Sequence, residues 1–113
     1  MRHVQLVIHR LWVDGAELPL RMATVVIVRR EESADLDWEV VADSTAPVTL
    51  DLHRAELTMT AITGVDASVD ENGRLATASM SGPATVVRFV DSSVVFRGDG
   101  PLDGFDESLF PTS

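Results

Sequence analysis

The chain contains no cysteine, no lysine and no tyrosine, and only six aromatic residues, two Trp and four Phe. Without cysteine there is no disulfide, no thiolate nucleophile and no Cys-based zinc or iron–sulfur centre. Without lysine there is no Schiff base and no amine base, and without tyrosine no phenolic acid. Gly-x-Ser-x-Gly, Gly-x-Gly-x-x-Gly and P-loop patterns are also missing. No run of eighteen apolar residues occurs, so no membrane span is expected. Gln5, His9 and Arg10 interrupt the first apolar stretch, which therefore does not read as a secretory signal, and a reducing, cytoplasmic setting is expected.

Charge of one sign is scarce as well. Nine arginines stand against eighteen Asp and Glu, for a net charge of −9. Such an excess repels phosphate backbones, which argues against a nucleic-acid partner. Solubility accounts for the acidity; a nucleic-acid mimic, a calcium binder or a cap for a basic partner are the sharper readings.

What is present is strand patterning punctuated by turns. At 113 residues the chain is long enough for one core of its own. Asn72-Gly73 is a strong type I′ hairpin signal. A two-residue loop there pairs Val69 with Ala76, Ala67 with Ala78 and Val65 with Met80 on one face. Asp70/Leu75, Ser68/Thr77 and Asp66/Ser79 fall on the other, and Glu71 faces Arg74 beside the turn. Asp14-Gly15 predicts a second hairpin of residues 3–13 and 16–30, with Val13/Ala16, Leu11/Leu18, His9/Leu20 and Val7/Met22 on one face. Its opposite face carries Trp12/Glu17, Arg10/Pro19 and Ile8/Arg21, then Leu6/Ala23, Val4/Val25 and Arg2/Ile27. The apolar side thus changes partway along, from Leu11, Leu18, Leu20 and Met22 near the tip to Val4, Leu6, Val25 and Ile27 near the base. Pro19 cannot donate to a ladder and marks an edge or bulge.

Residues 29–37 read as a charged connector and 38–43 as a short strand with Trp38, Val40 and Ala42 on one face. In residues 48–63 the apolar parity switches at His53-Arg54, as at a β-bulge. A helix is the alternative, but the threonines favour strand. Asp91-Ser92 as a loop sets Phe89 opposite Val94 and Val87 opposite Phe96. The neighbouring choice, Ser92-Ser93, would oppose Arg88 and Arg97. Together these give an all-β fold, a small antiparallel β-sandwich or barrel of seven to nine short strands. The all-β domain is expected over residues 1–100. Residues 101–113 form an irregular strap or tail in which Leu102, Phe105, Leu109 and Phe110 call for burial.

Few residues remain to carry chemistry. Asp51 and His53 share a strand face, which allows a carboxylate-oriented general base and a hydrolase-like reading. A polar strand face in water is the favoured account of them, because no nucleophile or oxyanion donor accompanies them. His3 and His9 lie roughly 20 Å apart along one strand, too far for a shared metal ion. Asp99, Asp103, Asp106 and Glu107 offer oxygen ligands suited to calcium, although their spacing is not that of an EF-hand and acidic turns form for conformational reasons. Arg97-Gly98-Asp99 spells an integrin-type tripeptide by coincidence. No cofactor is expected. Asp106 suits the cap of a short turn, which makes Phe105, Leu109 and Phe110 either a groove-binding peptide or a strap over the chain's own open end.

These residues favour a non-enzymatic protein-interaction module, an adaptor, assembly or inhibitor-like protein. A small-molecule-binding barrel lined by Val69, Ala76, Ala67 and Ala78 is the alternative. The change of apolar side along the N-terminal hairpin has two readings. It turns a barrel corner, or it gives a homodimer surface at Leu11, Trp12, Leu18, Leu20 and Met22.

Overall fold

The computed structural model describes residues 1–31, 35–46, 54–66 and 74–111, with backbone alone at 65, 66, 74 and 75. Seven antiparallel strands make up most of it: β1 (Arg2–Val13), β2 (Ala16–Leu18), β3 (Leu20–Arg29), β4 (Leu36–Ser44), β5 (Arg54–Asp66), β6 (Arg74–Val90) and β7 (Ser93–Gly98). The sheet runs β2-β1-β3-β4-β7-β6-β5, and β1 also pairs with β5. That last pairing closes a six-stranded barrel, with the short β2 as an extra strand. Closure removes most of the free edges that an open sheet would leave.

The tip of the N-terminal hairpin forms as the dipeptide demands. Asp14 and Gly15 both take positive φ, 50° and 84°, and Val13↔Ala16 and Leu11↔Leu18 are paired. Asp14 Oδ1 accepts from the Glu56 amide at 2.8 Å, and the Asp14 amide donates to the Glu56 carbonyl, which ties the turn to β5. Gly15→Val would force a β-branched residue to positive φ. We expect a loss of more than about 1 kcal/mol, read as a lower urea midpoint; an unchanged midpoint would contradict this role for the turn.

Toward the base the register differs from the two-residue-loop expectation. Val7 pairs with Thr24 rather than Met22, Leu6 with Val25, Val4 with Ile27, and Arg2 with Arg29. Pro19, lacking an N–H, interrupts the strand between β2 and β3, and the β3–β4 ladder shifts again between Leu20 and Met22. On the opposite edge of β1 an irregularity between Ile8 and Arg10 leaves His9 unpaired against β5. Inward positions are therefore Leu6 and Ile8 before this bulge and Leu11 and Val13 after it. The change of apolar side is a barrel corner, and apart from Met22, which stays outside, both patches reach one interior.

The central hairpin is also offset. Met80 pairs with Met59, not Val65; Ser79 with Thr60; Ala78 with Ala61; and Thr77 with Ile62. Ala76 faces Gly64, Leu75 faces Val65, and Arg74 faces Asp66. The long β5–β6 ladder stacks Ala55/Ala84, Leu57/Gly82, Met59/Met80 and Ala61/Ala78 toward the core. Burial along that ladder outweighs the local preference of Asn72-Gly73, which itself lies outside the described residues, as do Ala67 and Val69. Residues 54–63 are strand, so the helical alternative fails there. At the last hairpin Asp91 takes a φ of 55° and Phe89 faces Val94, but Phe96 pairs with Val86 because a bulge at Val87 shifts the ladder.

The interior is filled from every strand of the barrel. Phe96, Leu11, Ile27, Leu57, Met59 and Met80 are the largest fully buried side chains. Trp38 closes one end of this core. Its Nε1 donates to the Gly100 carbonyl at 2.9 Å, and its ring lies directly on Gly98, where a Cβ would collide with it, and beside Gly82, where a Cβ would run into the Pro101 carbonyl. The segment after β7 then crosses the barrel end. Asp103 and Ser81 exchange backbone hydrogen bonds at 2.7 and 3.0 Å, and Leu102 and Phe110 enter the core.

Candidate functional site

Alternation along each strand sends one set of side chains inward and the other to the outer surface. On β3 the outer set, Met22, Thr24, Val26 and Val28, is largely apolar, while on β4 and β7 one outer valine each, Val41 and Val95, stands among Asp37, Glu39, Asp43, Ser93 and Arg97. Val25 to Val28 is a continuous apolar run, and Val40-Val41, Val86-Val87 and Val94-Val95 are doublets on neighbouring strands. A strand with one wet face alternates apolar with polar residues, whereas continuous apolar runs belong to strands covered on both faces. The doublets place one valine in the core and one outside.

The register aligns these outer residues in rows. Val7, Thr24, Val41 and Val95 follow one another across β1, β3, β4 and β7, and Arg88 ends the row on β6. The next row holds Gln5, Val26, Glu39, Arg97 and Thr85, and the row on the other side holds Met22, Asp43, Ser93 and Val90. Val7, Val41, Val90 and Met22 are 48%, 45%, 54% and 60% exposed. At one end Val26, Val28, Trp38 and Arg97 line an open groove of about 500 Å³. Arg30 and Asp37 pair at 2.9 Å beside it, and Arg21 and Asp43 at 3.7 Å at the other end. The Ser92 hydroxyl donates to Asp43 at 2.8 Å. Sequence reading overlooked this face, although the valine doublets and the run through β3 were its signal.

The residues expected to make a hairpin surface do not form one patch. Leu11 is wholly buried in the core, Leu18 and Leu20 pack against it, and Met22 stands on the outer face of β3. Trp12 lies on the outside of the hairpin tip with the Arg10 guanidinium 5.0 Å from its ring centroid. Arg10 also makes two hydrogen bonds to Glu17, at 2.8 and 2.9 Å. Hydrogen bonding to that guanidinium holds the Glu17 carboxyl below its ordinary range, and the same bond raises Arg10.

The acidic tail residues are not brought together. Asp99 lies 3.5 Å from both Arg54 and the Thr85 hydroxyl, and Asp103 uses its backbone to bridge Ser81. Asp106 caps a single 3-10 turn, Glu107–Leu109, by accepting from the Ser108 amide at 2.8 Å, a bond that lowers its pKa. Glu107 pairs with Arg29 and, at 3.6 Å, with Arg2. Among the described residues no three His, Asp or Glu side chains converge as a metal site would need. Asp and Glu in such tight turns also serve the conformational demands of the turn itself. Phe110 is buried, stacked edge-to-face with Phe105 at 5.1 Å and covered by Arg2, while Leu109 packs half-buried beside the core. This segment is a strap on its own barrel. In Arg97-Gly98-Asp99 the glycine serves to seat Trp38. Asp51 and His53 lie outside the described residues, and of the expected barrel-lining set Ala76 and Ala78 are half-buried.

Among the described residues no helix is long and apolar enough to cross a membrane. No protein-family model matches the chain, and no curated protein and no solved structure is detectably similar to it.

Proposed function

We propose that this barrel is a non-enzymatic protein-interaction module that binds through the outer face of β3, β4 and β7. The observation that carries this reading is the row Val7–Thr24–Val41–Val95, apolar or β-branched throughout and partly open to water. An exposed apolar patch rimmed by polar residues marks an interaction site and is otherwise an aggregation liability. The rim supplies Arg88, Arg97, Glu39 and Asp43, which would fix orientation and exclude wrong partners.

A small-molecule site is the second reading, supported by the groove beside Trp38. It is open and lies on the same outer face, while the largest inward side chains already fill the interior. Native mass spectrometry of the chain purified from its own cells separates the two. We expect added mass of protein size, from a second copy or another chain. A stoichiometric adduct of a few hundred daltons and no protein partner would overturn the reading, and a thermal shift with that compound would identify the ligand by mass action.

A further inference from the structure

We infer that the occupant of this outer face is a second copy of the same chain, stacked sheet on sheet about a two-fold axis that runs along the strands between β4 and β7. The inference rests on the reading of that face as a protein-binding surface and adds its partner and geometry.

The chain as a whole is a poor candidate for self-association, because two copies each carrying a net charge of −9 repel. The face is different. Arg21, Arg30, Arg88 and Arg97 lie on or beside it with Asp37, Glu39 and Asp43. With Asp91 beside Arg88 and Val90, four of the nine arginines meet four of the eighteen acids, so the patch is locally close to neutral. Among the described residues Arg88 and Arg97 are in no ion pair, so both remain open to a partner.

The pattern is also complementary to itself. A two-fold contact requires that one residue meet a second while that second residue meets the first. An axis along the strands between β4 and β7 exchanges those two strands and keeps each cross-strand row in place. Val41 then stacks on the partner's Val95, and Val95 on the partner's Val41. Glu39 faces the partner's Arg97, and Arg97 the partner's Glu39. One step outward, Met22 of β3 meets the partner's Val90 on β6. These matches follow from the pairs Glu39↔Arg97 and Val41↔Val95 and from the row that links Met22, Asp43, Ser93 and Val90. Sheets stacked in this way lie about 10 Å apart, with apolar residues interdigitating between them. The barrel is only 20 Å across its shortest axis, so its faces are flattened enough to stack.

The size of the face sets the strength. Three strands about 4.8 Å apart and seven residues long give a projected area of the order of 300 Å². A standard specific interface covers roughly 800 Å² on each side, so this contact belongs to the small, transient class and is to be tested at high concentration.

Light scattering coupled to size exclusion, on the full chain loaded at about 0.2 mM, should give twice the chain mass. Val41→Asp places two carboxylates near the axis and should give folded monomer. Glu39→Arg and Arg97→Glu should each weaken the dimer at least about tenfold, and the two combined should restore it, since the swap rebuilds the same contact with reversed sign. Circular dichroism of each variant confirms that folded chains are being compared. A monomeric wild type, a dimer indifferent to Val41→Asp, or a swapped variant no tighter than the single variants would each overturn the inference. None of these results touches the wider reading: a different protein on the native spectrum with a monomeric wild type would end the dimer alone.

Discussion

Gly98→Ala should destabilise the protein by about 3 kcal/mol, with a fall in Tm of about 10 °C, and the loss should disappear when Trp38 is leucine. An alanine Cβ at position 98 would run into the Trp38 indole at Nε1, Cε2 and Cδ1. The ring has no room to retreat, because Trp38 is buried and an added Cβ at Gly82 would lie only 3.0 Å from its Cζ2. Any displacement also stretches the hydrogen bond from Nε1 to the Gly100 carbonyl, and a buried donor left unpaired costs about 1–3 kcal/mol. Gly98 does not occupy a positive φ. In a Trp38→Leu background the same alanine should therefore be neutral or stabilising by about 0.4–1 kcal/mol, through the lower entropy of the unfolded chain. Equal losses in the two backgrounds would show that the indole is not the obstacle.

Removing the strap is the second large effect. A chain ending at Gly100 loses Leu102 and Phe110 from the core, each worth about 1.5–3 kcal/mol when fully buried. The expected cost, about 3–6 kcal/mol, is a large part of the 5–15 kcal/mol that holds a typical domain together. Urea unfolding of the shortened chain should show a much lower midpoint, and an apolar dye should bind the opened end. Phe110→Ala alone should give about 3 kcal/mol or more of that loss. A shortened chain as stable as the full one would mean that the strap merely lies on the barrel.

The fold class was legible because its signals are local. Asp14-Gly15 and Asp91 announce positive-φ turns, and the parity of Trp38, Val40 and Ala42 shows which side of β4 is inside. Register was legible only next to the turns. The bulges at His9 and Val87 each admit an extra residue, and nothing in the identity of either residue requires one. They arise because strands bent into a barrel must keep a common inside. The displacement of the β5–β6 hairpin has the same origin, since its register is decided by a ladder reaching back to Arg54↔Thr85 and not by the dipeptide at its end. The outer face was hidden for a related reason. A valine doublet identifies an inner and an outer residue only once each strand's orientation is known, and the row across four strands exists only in the assembled sheet.

The β1–β5 closure bears on how the protein comes to exist at all. Val7 pairs with Ile62, and Asp43 with Ser93, so both ladders that complete the barrel join residues about 50 positions apart. The entropy of closing such loops is lost before any contact compensates for it, which puts folding on the millisecond-to-second scale typical of β topologies. On the ribosome β1, β3 and β4 can meet early as a meander, but β4 keeps an open edge until β7, the last strand in chain order, has emerged. Through that interval the open edge and the doubled valines are exposed together, which is the combination that invites pairing with a neighbouring chain. The nascent chain is most vulnerable between the emergence of β4 and that of β7, and the strap that follows β7 then seals the barrel end.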